Sequence, residues 1–385
     1  MDTSRREFLR TSMAALGAAC VGCPAFLALP RSAGAVASQD DAQFVKEARY
    51  YKKLADLCVE CELCPKACKV ADLERGYCGV RENRGGTYYT LVHSRVCSVG
   101  PDDPIEKKPF SHYLPGTIAF SLATAGCNME CRYCQNWNIS QYRPEQVQSQ
   151  YLPPSAVAAA AKRFGAQTIA YTYSEPVIFY EYVYDCAVEA RKHGLGNVII
   201  SNGYIKREPL VELCKVLSGV KIDFKGFTDK FYKEVCSGEL QPVLDTLLTL
   251  RDAGIWYELV TLLIPTFNDS DQELQAMCAW IRKNLGPDVP IHFSRFHRMY
   301  KMLNLPSTPL KTLEKARKIA LDAGLNYVYL GNVPGHEAES TYCPKCKDVL
   351  IKRYGYHIAA NRLKDGACPG CKTRIPGFWS VGTPR

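Results

Sequence analysis

From residue 117 to about 332 the chain alternates short apolar runs with longer segments whose apolar positions recur every three or four residues. The runs Thr117–Ala123, Thr168–Tyr173, Asn197–Ser201, Val220–Phe224, Trp256–Ile264, Pro290–Phe293 and Asn326–Leu330 each predict a strand. The segments between them predict helices over Pro154–Phe164, Val177–His193, Pro209–Leu217, Gln241–Ala253, Asp271–Leu285 and Leu310–Ala323. In the last, Leu310, Leu313, Ala316, Ile319, Ala320 and Ala323 mark one apolar face. Gly254, Gly286 and Gly324 stand just after helices, where a left-handed residue ends them. Repeated βα units with apolar strands imply an α/β fold with a parallel sheet. Six to seven units suit a partial or full (β/α) barrel, with its chemistry at the carboxyl ends of the strands.

Those ends collect polar residues. Tyr173-Ser174-Glu175-Pro176 follows the second strand and Ser201-Asn202-Gly203 the third. Asp223 and Lys225 lie on the fourth, Asn268-Asp269 follow the fifth, and Ser294, Arg295 and His297 follow the sixth. One polar rim of this kind is what a ligand site requires.

Cysteine sharpens the picture. The chain has 19 among 385 residues, clustered at C-x2-C spacings, which in a chain this long argues for metal sites over a disulfide framework. Directly after the first barrel strand, Cys127, Cys131 and Cys134 form C-x3-C-x2-C. Three thiolates in such a loop can hold three corners of a cubane [4Fe-4S] cluster and leave one iron open, which is the mark of a metal site that does chemistry. Upstream, Cys58, Cys61, Cys64 and Cys68, or alternatively Cys61, Cys64, Cys68 and Cys78, offer four soft ligands for an iron–sulfur cluster or zinc. Cys97 is a spare ligand or a buried thiol. Near the end, Cys343-x2-Cys346 and Cys368-x2-Cys371 predict a closed zinc-ribbon or rubredoxin-like site for zinc or iron.

The rest of the chain divides around the barrel, which we place at 116–335. Residues 1–37 read as a twin-arginine leader: Arg5-Arg6, an apolar stretch from Met13 to Leu29, then Ala35-Val36-Ala37 as a cleavage site. This implies export or membrane association. Residues 38–115 read as a Cys-rich metal-binding module, opening with a helix over Phe44, Ala48, Tyr51 and Leu54 and passing through a strand at Tyr88–Val92 and a loop at Asp103–Pro109. Residues 336–385 form the four-cysteine module. The net charge is +9, but the basic residues are scattered and show no aromatic-basic stripe, so nucleic acid is not an expected partner.

The cysteine loop, with Tyr133 before its last cysteine, resembles the signature of radical S-adenosylmethionine (SAM) enzymes. Wider segments resemble the radical SAM proteins of the AmmeMemoRadiSam system, relatives of pyruvate formate-lyase-activating enzymes: Cys61–Pro65, Asp103–Pro109, Cys131–Gln141, Tyr171–Pro176, Ile222–Gly226 and Tyr327–Val333. The resemblance implies SAM chelated to the open iron, reductive cleavage to a 5′-deoxyadenosyl radical, and hydrogen abstraction from a substrate such as a protein. It also implies an electron donor such as ferredoxin or flavodoxin. Carried over residue by residue, Glu175 meets the SAM ammonium, Lys225 beside Asp223 meets its carboxylate, Tyr133 touches the adenine, and Asn202 and His297 contact ribose or methionine. The family's Gly-Gly-Glu-Pro stretch is here Tyr173-Ser174-Glu175-Pro176, without its two glycines. The competing reading is a multi-cluster iron–sulfur electron-transfer protein.

Overall fold

A computed structural model describes residues 39–380, so the twin-arginine reading of residues 1–37 lies outside the described residues. The central element is a sheet of eight strands. In chain order these are β1 (Ser98–Pro104), β2 (Ile118–Ala123), β3 (Thr168–Tyr171), β4 (Gly196–Ser201), β5 (Gly219–Asp223), β6 (Trp256–Leu263), β7 (Ile291–Arg295) and β8 (Val328–Gly331). They lie side by side in sequence order. β2 to β8 are parallel, and β1 joins β2 antiparallel. Six helices make the crossovers: α1 (Pro154–Arg163), α2 (Tyr180–Lys192), α3 (Arg207–Cys214), α4 (Leu240–Ala253), α5 (Asp271–Asn284) and α6 (Leu310–Asp322). All seven expected strands and six expected helices are present to within about three residues at their ends. No helix among the described residues is long and apolar enough to cross a membrane.

The barrel is partial. Among the described residues no pairing joins β1 to β8. Side chains do that work instead. Residues 105–114 run from the end of β1 to β6 and β8, where the Glu258 carboxylate accepts from the amides of Ser111 (2.9 Å) and His112 (2.8 Å). Glu258 also meets His292 Nε2 at 2.9 Å, and His112 Nε2 lies 2.6 Å from Tyr329 Oη. The Tyr113 ring packs under the sheet, and β4 and β5 begin with glycine for that reason. A Cβ on Gly196 would sit 2.3 Å from Tyr113 Oη, and one on Gly219 would sit 3.3 Å from its ring.

The N-terminal segment departs from the expected helix. After a 3-10 turn it forms short antiparallel strands, Lys46–Glu47 with Thr87–Thr90 and Arg81–Arg84, and Tyr51–Lys53 with Val59–Cys61 and Lys69–Val70. Left-handed backbone at Tyr50, Asp56 and Leu57 interrupts any helix there. The expected loop at Asp103–Pro109 also differs: its start completes β1, and Ile105–Lys107 is a 3-10 turn. The C-terminal residues Thr341–Tyr342, Val349–Tyr354 and His357–Asn361 form an antiparallel three-stranded sheet. Its core is continuous with Tyr327 and Tyr329 of the barrel.

Glu258 is fully buried, and three groups in addition to Trp256 Nε1 bond to its carboxylate: the amides of Ser111 and His112 and the ring of His292. Replacing it with alanine strands two amides and an imidazole away from water. Glu258→Ala should therefore cost about 3 kcal/mol of stability, read as a fall in the unfolding midpoint of anaerobically prepared protein, while His193→Ala, on an exposed side chain, should leave it in place.

Candidate active site

The loop after β2 is tied down on every side. Its Glu130 and Arg132 amides donate to the carbonyls of Cys236 (3.0 Å) and Val235 (2.9 Å), and the Gly126 amide donates to Ile139 (2.9 Å). Gly126 has φ +98°, and a Cβ there would lie 2.6 Å from Val80 Cγ1 and 2.9 Å from the Cys78 carbonyl oxygen. Only glycine fits. The three thiols have their own partners. Cys127 Sγ accepts from the Met129 amide at 3.4 Å and from Asn202 Nδ2 at 3.9 Å, and Cys134 Sγ lies 3.2 Å from Ser140 Oγ.

Cys127, Cys131 and Cys134 line one cavity of about 560 Å³ at the carboxyl ends of the strands, together with Tyr133, Glu175, Asn202, Asp223 and Lys225. That volume is ordinary for a small-molecule site. The lining includes no fourth cysteine among the described residues. Cys236, which the sequence did not flag, stands behind the loop, fully buried and 3.6 Å from Tyr133 Oη, and is not part of the cavity wall. Its hydrogen bond holds the Cys131 thiol below the usual thiol value, with burial opposing and Lys225 assisting.

Glu175 has two oxygens and three internal donors. Oε1 accepts from Val177 N (3.0 Å) and Ser201 Oγ (2.7 Å), and Oε2 from Asn202 N (2.8 Å). Each carboxylate oxygen can accept twice, so Oε2 has capacity for one further donor. Burial pushes the carboxyl up to about 7 despite these bonds. Asn202 in turn donates to Asn128 Oδ1 at 2.8 Å and accepts from Tyr204 N at 2.8 Å, so its side chain holds the cysteine loop. Asp223 stands between Lys221 and Lys225. Burial opposes the Lys225 charge, but Cys131 and Asp223 outweigh it and hold that ammonium above its usual value. Lys225 also sits 5.8 Å from the centre of the Tyr133 ring.

His297 is the exception among the expected residues. β7 ends at Arg295, and His297 lies exposed in the following loop, 3.1 Å from Ser307 Oγ and outside the cavity lining. His292, within β7, faces the cavity in its stead. Its period-two position on the strand was the available signal. The wall beyond also holds Lys108 and Tyr173, both bonded to Asp103, and Arg353 from the C-terminal sheet.

The upstream cysteines are not all placed together. Cys61, Cys64, Cys68 and Cys78 line one small chamber, whereas Cys58 and Cys97 do not. The tail cysteines are closer together. Cys343, Cys346, Cys368 and Cys371 have all four sulfurs within 4.8 Å of one another, the one such group of three or more ligand residues among those described. That spacing suits a single tetrahedral ion and fits a zinc-ribbon-like module.

Comparison with known proteins agrees with this donor set. The Radical SAM superfamily model matches residues 121–281. The uncharacterized protein MJ0808 of Methanocaldococcus jannaschii is 46% identical over 333 residues, 86% of this chain and 99% of that protein. Among solved structures, a domain of a pyruvate-formate lyase-activating enzyme from Bacteroides vulgatus is 16% identical, covering 42% of this chain and 98% of that one, with a TM-score of 0.38. SuiB of Streptococcus suis is 10% identical, covering 59% of this chain and 52% of that one, with a TM-score of 0.45. On the family match, the relative aligned along nearly its whole length and the cysteine loop itself, the chain belongs to the radical SAM superfamily.

Proposed function

We propose that the protein cleaves SAM reductively in this cavity and directs the resulting radical at a protein substrate, in the manner of the activating enzymes and AmmeMemoRadiSam proteins that its motifs resemble. The observation that carries the reading is the placement of three loop thiols, without a fourth, in one cavity with Lys225 and Glu175. When bound, the [4Fe-4S] cluster and SAM supply the one-electron cleavage of a sulfonium C–S bond to methionine and a 5′-deoxyadenosyl radical.

The chain's own residues do the holding. Cys127, Cys131 and Cys134 ligate three irons. Lys225, charged and braced by Asp223, meets the SAM carboxylate. Glu175 Oε2 accepts from the SAM ammonium with its remaining lone pair. Tyr133 offers its ring to the adenine, and Asn202 keeps the loop in place behind it. The substrate enters over the C-terminal sheet, where Tyr356 is half exposed at the cavity edge. At the tail, Cys343, Cys346, Cys368 and Cys371 hold zinc as a staple for a module with a small core of its own. The leader at residues 1–37 would then carry a protein whose cluster was inserted before twin-arginine export.

Anaerobic protein reconstituted with iron and sulfide, then given SAM and dithionite, should accumulate 5′-deoxyadenosine. Cys131→Ala should abolish it. Added SAM should change the electron paramagnetic resonance of the reduced cluster, and Cys236→Ser should retain that response. A wild-type cluster indifferent to SAM would instead identify an electron-transfer protein. Lys225→Met should weaken SAM binding by about 10–100-fold, the value of one charge-assisted hydrogen bond, measured by equilibrium titration. Cys346→Ala should lose zinc and lower the melting temperature while the protein still makes 5′-deoxyadenosine.

A further inference from the structure

We infer that Cys61, Cys64, Cys68 and Cys78 hold a second, fully ligated iron–sulfur cluster, which passes electrons to the cluster of the Cys127 loop. The first observation is the chamber. Four cysteines from two separate turns converge on it, walled by Tyr88 and Arg81. The chain is shaped to close around this point: a Cβ on Gly76 would sit 2.4 Å from Tyr88 Oη and 3.8 Å from Cys68 Sγ.

The second observation is spacing. The tail shows what this chain does for a single ion, with four sulfurs within 4.8 Å of one another. Among the described residues no other group of three or more ligand residues is drawn together in this way, although the chamber's four cysteines all line one void. Thiolates around several metal atoms stand further apart than thiolates around one, where metal–sulfur bonds of about 2.3 Å draw them together. The tail therefore has the spacing of an ion site, whereas the chamber's cysteines surround a void between them, as the ligands of a cluster would.

The third observation is an unpaired donor. Arg81 is 1% exposed. Its Nη2 donates to Glu181 Oε2 at 2.6 Å and its Nε to the Ile178 carbonyl at 3.3 Å, but Nη1 has no partner. A buried guanidinium nitrogen left unpaired is costly. Arg81 lies in the chamber wall, where cluster sulfurs would accept a hydrogen bond from its guanidinium.

Position supplies the role. The Cys78 carbonyl oxygen presses on Gly126, the residue before Cys127. Asn128, the residue after it, is part of the chamber wall, and Cys78 and Cys127 line a common groove on the outer side. The chamber thus backs directly onto the loop whose other side faces the SAM cavity. One electron enters the chamber cluster from a low-potential carrier of the iron–sulfur or flavin class and leaves for the loop cluster, so each transfer oxidises one centre and reduces the next. This role rests on the radical SAM reading, whereas the cluster itself does not.

The test separates the two. The Cys127/Cys131/Cys134→Ala variant of the full chain, reconstituted anaerobically, lacks the loop cluster whatever its chemistry. It should still bind acid-labile sulfide amounting to one cluster and show a reducible iron–sulfur signal, which the tail site cannot supply because a single ion carries no sulfide. Cys61→Ala/Cys78→Ala should also bind one cluster, and wild type two. Zinc without sulfide in the first variant, or the same sulfide content in wild type and the second variant, would overturn the cluster. Fully reduced wild type should show spectra broadened by spin coupling between two centres, absent from both variants. Two uncoupled signals in wild type would overturn the relay while leaving both clusters standing.

Discussion

A buried line of hydrogen bonds from Glu175 through Asn202 to Asn128 joins the sheet to the cysteine loop, and the site exists because of it. Parallel pairing sets Tyr171 beside Ile199, so the chain leaves β3 and β4 side by side and brings Glu175 within reach of Ser201 and Asn202. Asn202 then spans to Asn128, and Asn128 Nδ2 closes the path on the Tyr204 carbonyl at 2.8 Å. All of these groups are almost without solvent. In such surroundings a satisfied network is rigid, and removing one member leaves its neighbours unpaired. The thiols of the eight-residue loop, whose Met129 and Tyr133 also pack into the core, are thereby fixed relative to Lys225, just past the end of β5.

The same loop is wedged from outside. Val80 and the Cys78 carbonyl occupy the space a side chain at position 126 would need. Arg81, one residue on, is buried against Glu181 of α2, and the other oxygen of that carboxylate accepts from the Arg49 amide at 2.7 Å. A lone buried charge would be expelled, so the pair binds the cysteine-rich segment to the barrel as a unit. The C-terminal sheet is joined in like manner, with Arg353 donating to the Ser111 carbonyl at 2.8 Å, while the Leu114 amide donates to the Phe378 carbonyl and the Phe378 amide to the His112 carbonyl, each at 2.7 Å. Both cysteine-rich segments are therefore tied to the barrel through buried polar contacts as well as apolar packing.

Much of this was legible in the sequence, for identifiable reasons. Parallel strands bury both faces, so β2 to β8 stand out as apolar runs between amphipathic helices. Metal sites announce themselves through thiol spacing. β1 was hidden because Ser98–Pro104 is polar, contains two prolines and carries a bulge between Gly100 and Asp103. Cys58 and Cys78 each complete a four-thiol set in the sequence, and only the folded chain shows that Cys78, not Cys58, lines the chamber with Cys61, Cys64 and Cys68. His297 was misplaced by counting past the end of β7. Cys236 is brought to Cys131 by the turn after β5, a contact across about a hundred residues that no local pattern records.

The departure at Tyr173 shows how a fold constraint outlives the residue that usually meets it. Where the resembled motif carries glycine, this chain has tyrosine, yet its φ is +67°, in the left-handed region where glycine is at ease. A tyrosine held there carries strain of about 1 kcal/mol or more, so something must hold it. Its carbonyl accepts from Asn136 Nδ2 at 2.8 Å, the next residue's hydroxyl donates to the Thr124 carbonyl at 2.6 Å, and its own hydroxyl donates to Asp103. Gly100 makes room for that hydroxyl, since a Cβ there would lie 2.4 Å away. The backbone path from β3 to Glu175 is thus kept, and the ring that replaces a hydrogen atom becomes a wall of the cavity, pinned by β1. Gly100 thus serves the tyrosine's hydroxyl rather than the turn, and the cavity wall carries an aromatic side chain bonded to a carboxylate that Lys107 and Lys108 also share.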